Sequence, residues 1–164
     1  MARIDPDQPL IPSVLDRLLD DEPGLSRETT KTRTQVLREL KQSIRRDLEN
    51  LLNTRRYCQT LPPELAELET SLADYGLPDI SGAELGLASQ RERFRQTLEN
   101  VIRRFEPRFV TVAVDMHDNV ESLDRTLRFR IDAMLRAEPA PEPIAFDSAM
   151  QPATGTFQIK GAGP

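Results

Sequence analysis

The sequence predicts an α+β domain, with two long helices packed on one face of an antiparallel sheet of about four strands and a short helical arm in front. Three observations carry this expectation. Apolar residues recur at steps of three and four in two stretches, about 33–53 and 89–105. The period falls to two beyond Pro107. No internal repeat or glycine-rich linker divides the 164 residues, a length that suits one domain with tails. The expected division is an arm at 1–32, a single domain at 33–160 and a tail at 161–164.

In the arm, Pro6, Pro9 and Pro12 interrupt any early helix. Ser13 suits the N-cap of a short helix through Asp20, with Leu15, Leu18 and Leu19 at helical spacing, and Pro23-Gly24 ends it. So short a helix is not stable alone and must dock, on its own domain or on a partner. The first long helix is the clearest element. Val36, Leu37, Leu40, Ile44, Leu48, Leu51 and Leu52 form one apolar stripe on an otherwise charged cylinder from about Arg33 to Asn53.

Pro62-Pro63 then opens an expected helical stretch with Leu65, Leu68 and Leu72 on one side, broken at the turn Tyr75-Gly76-Leu77-Pro78-Asp79. The second long helix is expected from Ser89, where Ser89-Gln90-Arg91-Glu92 has capping-box spacing. Phe94, Leu98, Val101, Ile102 and Phe105 make its buried face, and Pro107 stops it. Phe109 to Val114 is a β-branched run, and Leu127 to Arg136 alternates apolar with polar as a half-buried antiparallel strand does. Ile144 with Phe146 mark a third strand, Thr154-Gly155 a turn, and Phe157 with Ile159 a short fourth.

Composition narrows the chemistry. A net charge of -5 disfavours general nucleic-acid binding, and the tandem arginines at 45–46, 55–56 and 103–104 read as solvated helix faces. Cys58 is the only cysteine, so no disulfide forms within the chain. The acidic N-terminus does not read as a signal peptide, and no apolar run reaches membrane-spanning length, so a cytoplasmic protein is expected. His117, the sole histidine, has Asp115 and Asp118 nearby, but one histidine and two aspartates in a turn fall short of the usual metal-ligand sets. The sequence has no phosphate loop, zinc motif or nucleophile elbow. Glu106 is a poor general acid, because Arg104 and Arg108 beside it would favour its ionised form. With 5% aromatic residues and no tryptophan, a polysaccharide cleft is not expected either. No catalytic residue, metal or cofactor is therefore assigned.

Two features point to assembly. In Glu106-Pro107-Arg108, proline fixes the backbone between opposite charges at a helix-to-strand junction. The residues alone leave two readings open: the charges pair internally and fasten the junction, or Arg108 offers its planar fork to a partner. The last strand is expected at a sheet edge, where it can accept a strand from another chain, with Phe157 and Ile159 filling pockets and a proline at Gln158 removing one backbone donor.

Several segments resemble the TssE family. Ser13 to Asp21, SVLDRLLDD, is similar to that family's N-terminal segment, and Leu40 to Arg56 is similar to its helix ending in LLNTRR. Tyr75 to Asp79 is similar to its central turn, and Glu106-Pro107-Arg108 to its EPR triplet between long helix and first strand. Asn50 departs from the tryptophan found there in many members. The resemblance implies a baseplate component of the type VI secretion system, set beside the wedge proteins TssF, TssG and TssK and seeding the TssB–TssC sheath. It implies partner contacts by Glu106, Pro107, Arg108, Leu15, Leu18, Leu19, Phe157 and Ile159, with neither cofactor nor nucleic acid. A peptidoglycan-cleaving accessory protein and a regulatory adaptor of the same fold are the alternatives.

Overall fold

The computed structural model describes residues 14–18, 23–24, 32–56, 64–65, 67–68, 71–79, 87–117, 126–137 and 140–161. The expectations for Ser13, Leu19, Asp20, Cys58, Pro62-Pro63 and Asp118 lie outside these residues. The arm contributes a short helix, α1 (Val14–Leu18). The first long helix, α2 (Arg33–Asn53), starts on a capping box. The Thr32 N–H donates to Gln35 Oε1 at 2.8 Å, while the Gln35 N–H donates to Thr32 Oγ1 at 3.4 Å. Its buried face is the expected stripe, Leu40, Ile44, Leu48, Leu51 and Leu52, with Ser43 set among the leucines.

After α2, the expected leucine-lined helix is replaced, among the described residues, by a 3-10 turn at Leu72–Asp74. Leu72 is 87% exposed and Leu65 52%, so these leucines make no buried face. Polar contacts decide the local structure. Ser71 Oγ accepts the Ala73 N–H, which favours a tight turn over helix. Asp74 is drawn inward by Arg104 at 2.6 Å and Arg56 at 3.1 Å. The turn at Tyr75 to Asp79 forms as expected. Gly76 has φ +105, and a Cβ there would stand 2.4 Å from the Thr54 carbonyl oxygen, so only glycine fits. That close approach lets the Leu77 N–H donate to Thr54 O at 2.8 Å and the Arg56 N–H to Leu77 O at 2.7 Å.

The second long helix, α3 (Ala88–Phe105), begins one residue earlier than expected, and Leu87 is its N-cap without a side-chain bond. The Ser89–Glu92 capping box does not form, because Ser89 already lies inside the first turn and Glu92 instead accepts from Arg95 and Gln96. Phe94, Leu98 and Ile102 are buried as expected.

Four strands follow: β1 (Phe109–His117), β2 (Leu127–Leu135), β3 (Glu142–Gln151) and β4 (Thr156–Gly161). They form an antiparallel meander in the order β1-β2-β3-β4. The predicted α+β class is therefore borne out. α3 packs on β1 and α2 on β4, both on the face that buries Val112, Val114, Phe129, Ile131, Phe146, Phe157 and Ile159. The other face carries Asp115, Arg130, Asp147 and Lys160 side by side across the four strands. Alternating charge in neighbouring positions suits a sheet face turned to water. Gly155, with φ +67, closes the β3–β4 turn.

Candidate interaction site

The end of α3 places the charged triplet. Pro107 cannot extend the helix, so Glu106 becomes its C-cap and its N–H closes the last bond, to Ile102 O at 2.9 Å. The chain then turns sharply, and the Glu106 side chain swings inward to only 4% exposure. Arg108 follows it. Its Nε donates to Glu106 Oε1 at 2.6 Å and its Nη2 to Glu106 Oε2, a two-pronged pair. The same guanidinium reaches α2, where Nη2 donates to Asp47 Oδ2 at 2.7 Å. Burial alone would lower the Arg108 pKa, but the hydrogen bonds and charges of Glu106 and Asp47 outweigh it and hold the group above its ordinary value. Tyr75 lies near enough to feel the same acids. Its phenol is pushed up first by burial and then by Asp47 and Glu106. In the chain itself, then, Glu106 and Arg108 pair with each other and clamp the junction to α2.

The cluster continues to the arm. Arg46 Nε donates to Asp47 at 3.3 Å, and its Nη2 to Asp16 of α1 at 3.0 Å. Ser43 Oγ donates to the same Asp16 oxygen at 2.7 Å. Sequence reasoning did not single out Asp16, Ser43, Arg46 or Asp47 as site residues. One signal was readable: Ser43 is a polar residue on the apolar stripe, between Leu40 and Ile44. Leu15 and Leu18 of α1 are 55% and 75% exposed, and Val14 is 65% exposed.

The other expected contacts separate into side chain and backbone. Phe157 and Ile159 are each 2% exposed and point into the chain's own core. The outward backbone groups of β4 are bonded to α2. Asn53 Nδ2 donates to Phe157 O at 3.0 Å, and Asn53 Oδ1 accepts the Phe157 N–H at 2.9 Å. Arg45 Nη1 donates to Ile159 O at 3.3 Å. Successive residues of a strand present their N–H and C=O to opposite sides. Gln158 therefore faces β3, where it is in register with Ala149. A proline at Gln158 would break the chain's own sheet and not the outer edge, which corrects the expectation for that position. The β1 edge is treated alike: Glu99 accepts the Val114 N–H at 3.0 Å, and Arg103 donates to Val112 O at 3.4 Å. Helix side chains thus blunt both edges of the sheet against unwanted pairing. Asn53→Ala is expected to cost about 1–2 kcal/mol, the net value of its two hydrogen bonds to β4, which water partly replaces. It should also produce concentration-dependent association in sedimentation runs. A strictly monomeric Asn53→Ala chain of unchanged stability would show that the Asn53 amide does not guard the edge.

His117 ends β1 opposite Arg128. Among the described residues no group of three or more His, Cys, Asp or Glu is placed to hold a metal. Among them, too, no helix is long and apolar enough to cross a membrane.

Compared with known proteins, residues 38–140 match the family described as "Baseplate wedge protein gp25". That span is more than half of the chain, and it holds Ser43, Asp47 and the triplet at 106–108. A chain of the solved structure described as "The baseplate complex from the type VI secretion system" is 20% identical, with a TM-score of 0.47. The match covers 70% of this chain and 96% of that one. No curated protein matches.

Proposed function

The chain belongs to the gp25 baseplate wedge protein family, and from that premise we propose that it is the TssE-type wedge subunit of a type VI secretion baseplate. In this reading it joins TssF, TssG and TssK at the cytoplasmic side of the membrane and helps to start the TssB–TssC sheath. One observation carries the proposal: the family match runs through α2, α3, β1 and β2 and so takes in the charge cluster from Ser43 to Arg108. The segments similar to TssE, above all the arm and the EPR triplet, support type VI secretion as the setting of the wedge.

The exposed Val14, Leu15 and Leu18 of α1 would seat in an apolar groove of a wedge protein. Pro107 and Arg108, held in place by the buried Glu106, would meet the same partner as a preformed, rigid charged corner. At β4, a sheath strand would pair with the backbone of Phe157 and Ile159, replacing Asn53 and Arg45. No turnover is assigned. Glu106 is buried with both oxygens bonded to Arg108, an arrangement ill suited to protonating a glycan.

The test is co-expression with TssF and TssG followed by affinity purification and a muropeptide digest. The proposal expects a stable complex and no released muropeptides. A chain that elutes alone and releases muropeptides would overturn it in favour of the peptidoglycan-cleaving reading.

A further inference from the structure

We propose that the arm and the junction triplet form one device, in which Ser43 latches α1 onto α2 and the Glu106–Arg108 pair sets how firmly the arm is held. Ser43 sits midway along α2 at 6% exposure, on the face that otherwise buries leucine and isoleucine. A hydroxyl in such a place is costly unless its bonds are made. Ser43 Oγ donates to Asp16 at 2.7 Å and accepts from Arg46 Nη2 and Arg108 Nη1, both at 3.4 Å. One hydrogen and two lone pairs are all a hydroxyl has, so its full capacity goes to joining three segments of the chain.

The way α1 sits supports a polar latch. The Asp16 side chain is 16% exposed, whereas Val14, Leu15 and Leu18 are more than half exposed. The helix is seated through its acid, with its apolar residues turned outward. Among the described residues, its attachment therefore rests on the charges beneath it and not on buried apolar area.

Those charges are shared in series. Arg46 serves both Asp16 and Asp47, and Arg108 serves both Asp47 and Glu106. If Arg108 lets go of Asp47, that carboxylate competes harder for Arg46 and draws it from Asp16. Ser43 loses one of its two donors in the same event. A change at the triplet is thus felt at the arm through Ser43, Asp47 and Arg46. Groups in one such network couple, by roughly twofold to a hundredfold in an equilibrium. The use of the latch in presenting Leu15 and Leu18 to a wedge protein rests on the proposed function; the latch itself does not.

The experiment is amide hydrogen exchange on the full chain, resolved at Val14–Leu18 and at β2, for the parent, Ser43→Ala, Arg108→Lys and the double variant. Arg108→Lys keeps a cation for Glu106 but lacks the fork that spans to Asp47 and Ser43. Each single change is expected to speed exchange in α1 by about threefold or more, with β2 unchanged. The double variant should be faster than Ser43→Ala alone but fall short of the product of the two single accelerations, because both changes act on the same Arg46–Asp16 contact. Unchanged α1 exchange in Ser43→Ala overturns the latch. A double variant whose acceleration is the product of the two singles also overturns it, because the triplet and the arm would then act separately. Binding of TssF and TssG by the same proteins keeps the two proposals apart. Exchange as expected with no binding by any form, parent included, contradicts the wedge role and leaves the latch standing.

Discussion

Arg108→Ala is expected to lower the unfolding free energy by about 3 kcal/mol. The substitution leaves the Glu106 carboxylate, 4% exposed, without the two bonds it receives from the guanidinium. A buried charge stripped of its partner costs far more than the intact pair contributes, because desolvation is no longer offset. Arg108 keeps 22% of its side chain exposed, so the figure sits at the low end of the range for buried pairs. Glu106→Gln should cost less, since a neutral amide tolerates the site better than an unpaired carboxylate. Urea denaturation of the three proteins checks this order. A loss below about 1 kcal/mol for Arg108→Ala, in the range of surface pairs, would mean that the pair is not clamping the junction. The triplet's rigidity could then not be credited to it.

Phe157→Ala is expected to cost about 3–4 kcal/mol, with the loss seen in the isolated chain before any partner is added. The ring is 2% exposed and lies 6.1 Å from the Phe129 ring, edge on, and 6.4 Å from Phe94. It therefore ties β4 both to the sheet and to α3, and its removal opens a cavity that three elements share. Leu18→Ala is the contrast. At 75% exposure Leu18 has little burial to lose, and the stability of the isolated chain should hardly change. If Phe157→Ala were equally harmless, the ring would not be part of the core, and a role in a partner's pocket would regain its force.

Periodicity made most of the fold legible. The stripe from Leu40 to Leu52 and the alternation from Leu127 to Leu135 are long enough for the buried face to dominate, and both elements form where expected. The leucines at 65, 68 and 72 are too few to outweigh local polar contacts, and Ser71 and Asp74 set a tight turn there instead. Ser89 shows the limit of a motif: Ser-x-x-Glu spacing recurs inside helices, and here the helix starts one residue earlier. At the site, the triplet was legible because proline marks it, whereas Asp16 and Ser43 meet across 27 residues and no local signal joins them. Phe157 and Ile159 read as fillers of a partner's pockets, whereas the alternation of β4 turns both into the chain's own core. What could not be read was that Asn53 and Arg45, on another element, cover the backbone beside them.

Hydrogen exchange of the chain, free and bound in a complex with TssF and TssG, shows which surface the wedge proteins cover. Protection is expected at Val14–Leu18 and at the junction from Glu106 to Phe109, with the Asp115–Arg130–Asp147 face of the sheet unchanged. Protection confined to that sheet face, with the arm and the junction exchanging as in the free chain, would contradict docking through the arm and the junction.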